Sequence, residues 1–276
     1  TCNRPKLLKT RSLKSINDQS RRPNLLIIVD DSSKSVRYEN KRITNDLYIN
    51  NKSVIYLENA HKKGVSGAWN TGLEKILDIN PDSYIAILDD DDAWDKNYLK
   101  RCELKTIRQE LDMCIAGIIR YDDINSLGFK TSIPQEFKID QFLIGNPNVQ
   151  GSNLFVKLRF LKKVGFFDES LVSSTDRDIC IRLAEIKSLK VGFINEHLVH
   201  HYAISEYPRL SDKDSSKKIE GLKSFYGKYK SRMTTLQRIK FLKRAKRLFG
   251  LEEIENKNLD EYIQKLQSLN KINNQN

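Results

Sequence analysis

Residues 84–92 read Tyr-Ile-Ala-Ile-Leu-Asp-Asp-Asp-Asp, an apolar run that ends abruptly in four aspartates. A continuous apolar run of this length predicts a strand that is buried on both faces, as in parallel sheets. Residues 25–29, Leu-Leu-Ile-Ile-Val, form a second run of the same kind, and Asp30 and Asp31 follow it directly. Both predicted strands therefore end in carboxylates.

Predicted strands and helices alternate along the first 200 residues. Pro5 opens a short predicted helix, and further helices are predicted at 66–77, 96–110 and 177–186. The other predicted strands span 53–57, 113–119, 153–156, 190–194 and 198–202. This alternation indicates βαβ units and an α/β fold with a Rossmann-like, mainly parallel central sheet flanked by helices. Because ligands bind beyond the carboxyl ends of such strands, the aspartates lie where a site is expected.

The composition is that of a globular protein. Of the 276 residues, 39% are hydrophobic and 30% are charged, and no apolar run approaches the roughly 18 residues of a membrane-spanning helix. The four cysteines are scattered without a C-x-x-C pair, which argues against a structural zinc site and fits reduced thiols in a cytoplasmic protein.

The net charge of +12 is concentrated near the C-terminus. Residues 211–250 hold thirteen Lys and Arg against three acidic residues, which is ten of the twelve net charges. The rest of the chain is nearly neutral and its motif clusters are acidic, so a nucleic-acid-binding protein is the weaker alternative. This shift predicts a boundary near 207–215, between a body at 1–206 and a basic helical extension at 207–276.

A basic amphipathic helix is predicted at 234–249. Thr234 is placed to cap its start and Gly250 to end it, and apolar residues recur at helical spacing among lysines and arginines. Two interpretations stay open. The helix docks on an anionic membrane surface, or it packs on the body with its basic face in solvent.

The aspartates after residue 88 favour a divalent cation. In an extended backbone the side chains of Asp89 and Asp91 point to the same side, and two like charges there need a neutralising ion. Mg²⁺ and similar hard cations prefer carboxylate oxygens. The alternative is a solvated acidic turn that caps a helix beginning near Asp95.

Three other polar segments are candidates for ligand binding. Asp30 and Asp31 are placed to accept hydrogen bonds from a nucleobase or a ribose, although an Asx-turn explains them equally well. Residues 63–72 form a glycine-bearing turn into a helix, without the pattern of a phosphate loop. His200 and His201 end the last predicted strand, and only one of the two should face the site.

These motifs, taken in order, resemble those of the family 2 glycosyltransferases, which have the GT-A fold. The segments concerned are Thr1–Pro5, Ile28–Ser33, Lys63–Gly72, Ile87–Trp94, Gly151–Asn153, Val164–Glu169 and Thr175–Leu183. The resemblance covers roughly residues 1–205, with a nucleotide-sugar half at 1–100 and an acceptor half at 101–206.

The resemblance implies a role for each matching residue. A nucleotide diphosphate sugar would be the donor, held by Thr1, Asn3, Arg4, Asp30, Asp31, Lys63, Gly64, Asn70, Asp89 and Asp90. Asp89 and Asp91 would coordinate Mn²⁺ or Mg²⁺ at the diphosphate, with His201 completing the metal sphere. Asp176 is better explained as a helix N-cap when its position is taken alone; within the motif series it would be the general base of one inverting displacement.

The resemblance also implies partners and a location. The acceptor would be a hydroxyl of a saccharide or lipid-linked saccharide in polysaccharide or glycan assembly. The enzyme would be cytoplasmic, with contact to the inner face of the membrane through 234–249. Two departures from the family pattern, Trp69 in place of Arg and Thr175 in place of Glu, leave a catalytically inactive GT-A scaffold or partner subunit as the alternative.

Overall fold

The computed structural model describes residues 1–48, 51–123, 127–204, 212 and 215–251. The strands in these ranges are β1 Leu26–Asp30, β2 Val54–Glu58, β3 Tyr84–Ala86, β4 Asp92–Trp94, β5 Met113–Tyr121, β6 Phe129–Lys130, β7 Leu154–Lys157 and β8 Val191–Tyr202. The helices are α1 Pro5–Leu7, α2 Lys14–Asn17, α3 Lys34–Leu47, α4 Val65–Ile79, α5 Tyr98–Arg108, α6 Ile139–Ile144, α7 Leu158–Lys163, α8 Thr175–Ala184, α9 Ser216–Tyr229 and α10 Thr235–Phe249. A π-helical stretch, Leu8–Leu13, joins α1 to α2, and short 3-10 helices occupy Gly151–Asn153 and Lys230–Arg232.

The strands form an α/β fold, as the sequence predicts, but their pairing is more mixed. β1 and β2 pair in parallel. The larger sheet has the order β3-β7-β5-β8-β4, with β6 on β5. In it β5 and β8 run parallel, whereas the other pairs are antiparallel. Apolar runs indicate burial and not strand direction, so the expected predominance of parallel pairs does not hold.

Strand β8 is one long strand where the sequence predicted two. It pairs with β5 along its length, and the register shifts after Ala116, which pairs with Ile194, whereas Gly117 pairs with His197. This irregularity, a bulge-like feature, absorbs the polar residues between the two apolar segments. The last residues of β8 therefore lie beside β4, where His201 pairs with Asp92.

The two C-terminal helices share a hydrophobic core with the sheet. Phe225 and Tyr226 of α9 and Phe241 of α10 are fully buried in the same cluster as Ile115 of β5. Phe241 stacks on Tyr226 with ring centroids 5.3 Å apart. The predicted boundary near 207–215 falls mostly outside the described residues, as do residues 252–276.

Helix α10 begins and ends where its sequence predicts. Thr234 Oγ1 accepts a hydrogen bond from Gln237 N, and the Gln237 side chain accepts one from Thr234 N in return, which is a capping box. Gly250 ends the helix with a φ of 70°. Ile239, Phe241 and Ala245 are buried, so this apolar face packs on the protein. No helix of the described residues is long and apolar enough to cross a membrane.

Two glycines of α9 offer a test of how closely α9 packs on the protein body. A Cβ at Gly221 would lie 2.6 Å from the backbone nitrogen of Ser173, whereas a Cβ at Gly227 would meet nothing within 4 Å. We expect Gly221→Ala to lower the free energy of unfolding by about 1–3 kcal/mol through overpacking. Gly227→Ala, the matched control, should raise it by up to about 1 kcal/mol because alanine favours helix. Urea unfolding measures both, and equal effects would contradict the close packing of α9 on Ser173.

Candidate active site

Asp90 anchors the N-terminal segment beside β3. Its Oδ2 accepts hydrogen bonds from Thr1 Oγ1 at 2.6 Å and Cys2 N at 3.2 Å. Its Oδ1 lies 2.5 Å from an Arg4 guanidinium nitrogen, and a second nitrogen of Arg4 is 2.8 Å from Asp91 Oδ2. Asp90 therefore holds Thr1–Arg4 in place, and Arg4 bridges two carboxylates of the acidic cluster.

Asp92 is bound by the turn before β7 and by the end of β8. The buried carboxylate accepts hydrogen bonds from Ser152 Oγ at 2.8 Å and Gln150 Nε2 at 3.2 Å. His201 Nδ1 lies 3.0 Å from its Oδ1. Since an ionised carboxylate only accepts, this nitrogen carries the hydrogen and leaves Nε2 of a neutral imidazole as an acceptor or ligand.

The two histidines contact different partners, as strand alternation predicts. His200 Nδ1 is hydrogen-bonded to the Tyr121 hydroxyl at 2.8 Å, and burial lowers the pKa of His200. His201 contacts the acidic cluster instead. A metal-ligating role for His201 stays a prediction.

Asp176 lies in the first turn of α8, close to the acidic cluster. Its Oδ1 accepts a hydrogen bond from Gly151 N at 2.9 Å. Burial, with a smaller contribution from the charge of Asp92, raises the pKa of Asp176 to about 6, against lowering contributions from the Gly151 hydrogen bond and Lys218. Burial and then the charges of Asp91, Asp92 and Asp176 raise the pKa of Asp89 well above its usual range. The candidate base and the candidate metal ligands thus belong to one electrostatic unit.

Asp30 and Asp31 take different positions after β1. Asp30 is buried and accepts hydrogen bonds from Asn40 Nδ2, the Tyr56 hydroxyl and Ser32 N. Burial opposes the ionisation of Asp30, but these bonds outweigh it and lower its pKa. The carboxylate of the half-buried Asp31 instead accepts hydrogen bonds from Gly64 N at 2.8 Å and from Asn59 Nδ2 at 2.9 Å.

Residues 63–72 combine an exposed turn with a buried amide. Lys63 and Gly64 are exposed, and Gly64 has a φ of 135° with open space around it. Asn70 is buried, and its amide bonds to the backbone of Phe167 and to Glu169. Asn70 therefore ties α4 to the loop before α8, and its contact with a donor stays a prediction.

Asn3 and Trp69 also have structural contacts. Asn3 Oδ1 accepts a hydrogen bond from Ser33 N at 2.9 Å, and its own N–H donates to Ser32 Oγ at 2.7 Å. Trp69 packs on Phe167 with centroids 4.6 Å apart, and a Cβ at Gly151 would come within 3.0 Å of its indole. Trp69 thus supports the turn that binds Asp176.

Three residues that contact the acidic cluster were not among the predicted site residues. Gln150 and Ser152 contact Asp92, and Arg11 donates to the carbonyl of Asp91 at 3.2 Å while lying 4.2 Å above the Tyr202 ring. Polar residues in a turn before a strand were the only hint for the first two. Arg11 lies within the π-helical stretch Leu8–Leu13, and such stretches occur frequently at functional sites.

The acidic cluster fits a cation that is shared with a ligand. The described residues contain no group of three or more His, Cys, Asp or Glu arranged to hold a metal. Mg²⁺, however, is commonly bound by one or two carboxylates together with water and substrate phosphates. Arg4 pairs with Asp90 and Asp91, and burial together with the neighbouring carboxylates raises the pKa of Asp89. Asp89 and Asp91 therefore offer the charge and the hard oxygens that such a cation needs.

A family comparison agrees with this geometry. Residues 1–165 match the sequence model described as Glycosyl transferase family 2, which is more than half of the 276 residues. The chain belongs to glycosyl transferase family 2. Amylovoran biosynthesis glycosyltransferase AmsB of Erwinia amylovora is 25% identical to this family 2 chain over 205 residues. The alignment covers 71% of this chain and 65% of AmsB, so this chain spans less than two thirds of that relative.

Solved structures confirm the fold of this family 2 member. The crystal structure of S. aureus TarS superposes with a TM-score of 0.60 at 14% sequence identity, covering 90% of this chain and 43% of TarS. The structure of S. aureus TarS 1-349 in complex with UDP-GlcNAc gives the same TM-score and identity and is covered to 71%. The expected GT-A arrangement of a central sheet flanked by helices is therefore confirmed.

The raised pKa of Asp176 predicts a pH-dependent effect of Asp176→Asn on stability. A carboxyl whose pKa is about 6 in the folded state and 3.8 ordinarily destabilises the fold above pH 6, and protonation relieves this cost as the pH falls toward 3.8. The Asn variant should therefore have a higher Tm than the parent at pH 7.5, by a few degrees, and a clearly smaller advantage at pH 4.5. The exposed Asp46→Asn is the control. A Tm difference that is independent of pH would contradict the raised pKa.

Proposed function

We propose that this family 2 chain is an inverting glycosyltransferase that moves a sugar from a nucleotide diphosphate donor to a hydroxyl of a saccharide. The observation that carries the proposal is Asp176, a half-buried carboxylate with a raised pKa, held by Gly151 N–H beside the acidic cluster. A sugar hydroxyl is a weak nucleophile, so a positioned carboxylate has to accept its proton during attack.

The Gly151 N–H fixes one oxygen of Asp176 and directs the other toward the acceptor. In the proposed step, Oδ2 of Asp176 takes the proton of the acceptor hydroxyl. The new bond from that oxygen to the anomeric carbon forms as the bond to the diphosphate breaks. Attack from the side opposite the leaving group inverts the anomeric configuration. The pKa of about 6 leaves Asp176 mostly ionised at neutral pH and therefore competent as a base.

The donor would lie along the ends of β1 and β3. Asp31 is the candidate for the nucleobase contact, because the Asp30 carboxylate is filled by internal hydrogen bonds. Thr1–Arg4, held by Asp90, would lie beside the ribose and diphosphate, with Asp89 at the ribose. Lys63 is exposed near the same edge and would add positive charge for the phosphates.

Asp89 and Asp91, with His201 near Asp92, would hold Mn²⁺ or Mg²⁺. When bound, such an ion acts as a Lewis acid that stabilises the negative charge building on the leaving diphosphate. Arg4 supplies a second positive charge at the same place. Binding of the donor phosphates would draw Arg4 partly away from Asp91, since phosphate is a strong bidentate partner for a guanidinium.

The setting we propose is polysaccharide or glycan assembly in the cytoplasm. AmsB is named for amylovoran biosynthesis, and TarS 1-349 was solved with UDP-GlcNAc, so UDP-sugars are the first donors to test. A saccharide or a lipid-linked saccharide is the proposed acceptor class. A lipid-linked acceptor would require contact with the inner face of a membrane.

A pair of variants separates donor binding from chemistry. We expect Asp91→Asn to abolish the enhancement of UDP affinity by Mn²⁺ in calorimetry, because it removes a carboxylate from the cation site. Asp176→Asn should keep that enhancement and lose about 10²–10⁴-fold in transfer rate, the typical contribution of a general base.

Each of these variants is the control for the other, and the exposed Asp82→Asn should change neither quantity. A screen of nucleotide sugars by metal-dependent thermal shift first identifies the donor. Full turnover of Asp176→Asn would refute its role as base. UDP binding by a parent chain that transfers no sugar would favour the inactive scaffold.

We further propose that the basic face of α10 contacts anionic membrane. The face of Ile239, Phe241 and Ala245 is buried in the protein, so the proposed attraction is mainly electrostatic. Lys240, Lys243 and Lys246 are exposed on this helix, and each lysine near an anionic surface contributes about 1 kcal/mol. Their triple replacement by Gln should weaken binding to phosphatidylglycerol vesicles roughly 100-fold at low salt.

The matched control replaces three exposed lysines elsewhere, Lys41, Lys100 and Lys162. Vesicle sedimentation measures binding in both triple variants. Equal loss in the two would show a general effect of net charge and would refute a docking face on α10.

A further inference from the structure

A small cavity lies on the acceptor side of Asp176, under the C-terminal helices. Its volume is about 120 Å³, which is room for a few water molecules or one small ligand group. The main residues around it come from the end of α6, the start of α8, and helices α9 and α10: Asn146, Ser174, Asp176, Arg177, Lys218 and Arg244.

Three cationic side chains face this one carboxylate. Arg177 is buried, and its guanidinium donates to the carbonyls of Phe142 and Leu143, so its charge is not neutralised by a carboxylate. Within the described part of the chain, Lys218 and Arg244 have no ion pair. With Asp176 ionised, the cavity therefore carries two positive charges in excess.

The contacts of Lys218 and Arg244 direct both cations to this place. Lys218 Nζ lies 4.8 Å from the centroid of the Phe249 ring, which holds the side chain over α10. Arg244 approaches the backbone at Gly145 so closely that a Cβ there would lie 2.8 Å from its Nε. The absence of a side chain at Gly145 is what makes room for the guanidinium.

The cavity is electrostatically unfavourable as it stands. Burial, and to a smaller extent the charge of Arg177, lowers the pKa of Lys218 to about 8. Burial, and to a smaller extent the charge of Arg244, lowers the pKa of Arg177 to about 9. An anion would relieve this repulsion, and arginine is suited to bidentate binding of carboxylate and phosphate.

Ser174 adds an independent sign of a missing ligand. Its Oγ is buried and has no hydrogen-bond partner, and its φ of 66° places a non-glycine residue in the left-handed region. Unpartnered buried hydroxyls are uncommon in native structures. Backbone strain of this kind clusters at ligand-binding positions.

We propose that this cavity binds an anionic group of the acceptor, so that the chain selects an acidic saccharide. Lys218 and Arg244 bind the charge, and Ser174 Oγ donates a hydrogen bond to it. The inference rests on the proposed function, because the cavity shares Asp176 with the site of transfer. The group is a carboxylate, as in a uronic acid, or a phosphate, as in a sugar phosphate.

The test compares probes that differ in charge. In the presence of UDP and Mn²⁺, calorimetry or ligand-detected NMR measures the Kd of methyl glucoside, methyl glucuronide and glucose 6-phosphate. We expect at least one acidic probe to bind about tenfold more tightly than methyl glucoside. Comparison of the Kd of methyl glucuronide with that of glucose 6-phosphate then shows whether the cavity prefers a carboxylate or a phosphate. No preference for either acidic probe would overturn the proposal.

Variants connect the preference to this cavity. Lys218→Met keeps an apolar stem on Phe249, and Arg244→Gln keeps a polar group beside Gly145. Each should reduce the preference to twofold or less without changing UDP affinity, because neither residue lies near the donor residues. Lys243→Gln, at an exposed position next to Arg244, should leave the preference intact. Retention of the preference in both cavity variants would refute the assignment.

The outcome is separable from that of the proposed function. A chain that prefers acidic probes but neither binds UDP nor transfers sugar would refute the proposed function and leave an anion site. A chain that binds UDP and transfers sugar to neutral acceptors without any preference for charge would support the proposed function and refute the anion site.

Discussion

The packing of carboxylates at one edge of the sheet is the constraint on which the rest of the site depends. Asp89 to Asp92 and Asp176 interact electrostatically, and such a group is stable only if cations and N–H donors surround it. The fold brings these from distant parts of the chain. Arg4 comes from the N-terminal segment, His201 from the end of β8, and Gly151 N–H from the turn before β7.

The turn at 150–153 links the two halves of the site. Ser152 binds the acidic cluster through its hydroxyl, and its carbonyl accepts a hydrogen bond from the indole of Trp94. Asn153 donates to the carbonyl of Ala116 in the central strand. The position of Asp176 relative to the aspartates is therefore set by a buried turn that is hydrogen-bonded to the middle of the sheet. The C-terminal helices complete the other wall, because they share a core with the sheet.

Local sequence predicted most elements because their signals are local. Apolar runs marked β1, β3 and β5, and the cap at Thr234 with Gly250 marked α10 within one residue at each end. Helices α3 and α9 were not predicted, since polar residues fill much of both and their buried faces are set by the surfaces they meet. Strand direction in the larger sheet and the continuity of β8 were also missed, because both depend on partners far apart in the chain.

The sequence by itself determined which residue types are available for chemistry: carboxylates after buried strands, one more at the start of α8, and a basic segment near the C-terminus. The tertiary structure decided which of them are bound within the protein and which come together. Asp30, Asp90 and Asn70 match the family motifs but are committed to internal hydrogen bonds, whereas Lys218 and Arg244, two members of a charge-rich segment, converge beside Asp176. The reason is that spacing along a chain defines the side of an element, while burial and direction depend on what packs against it.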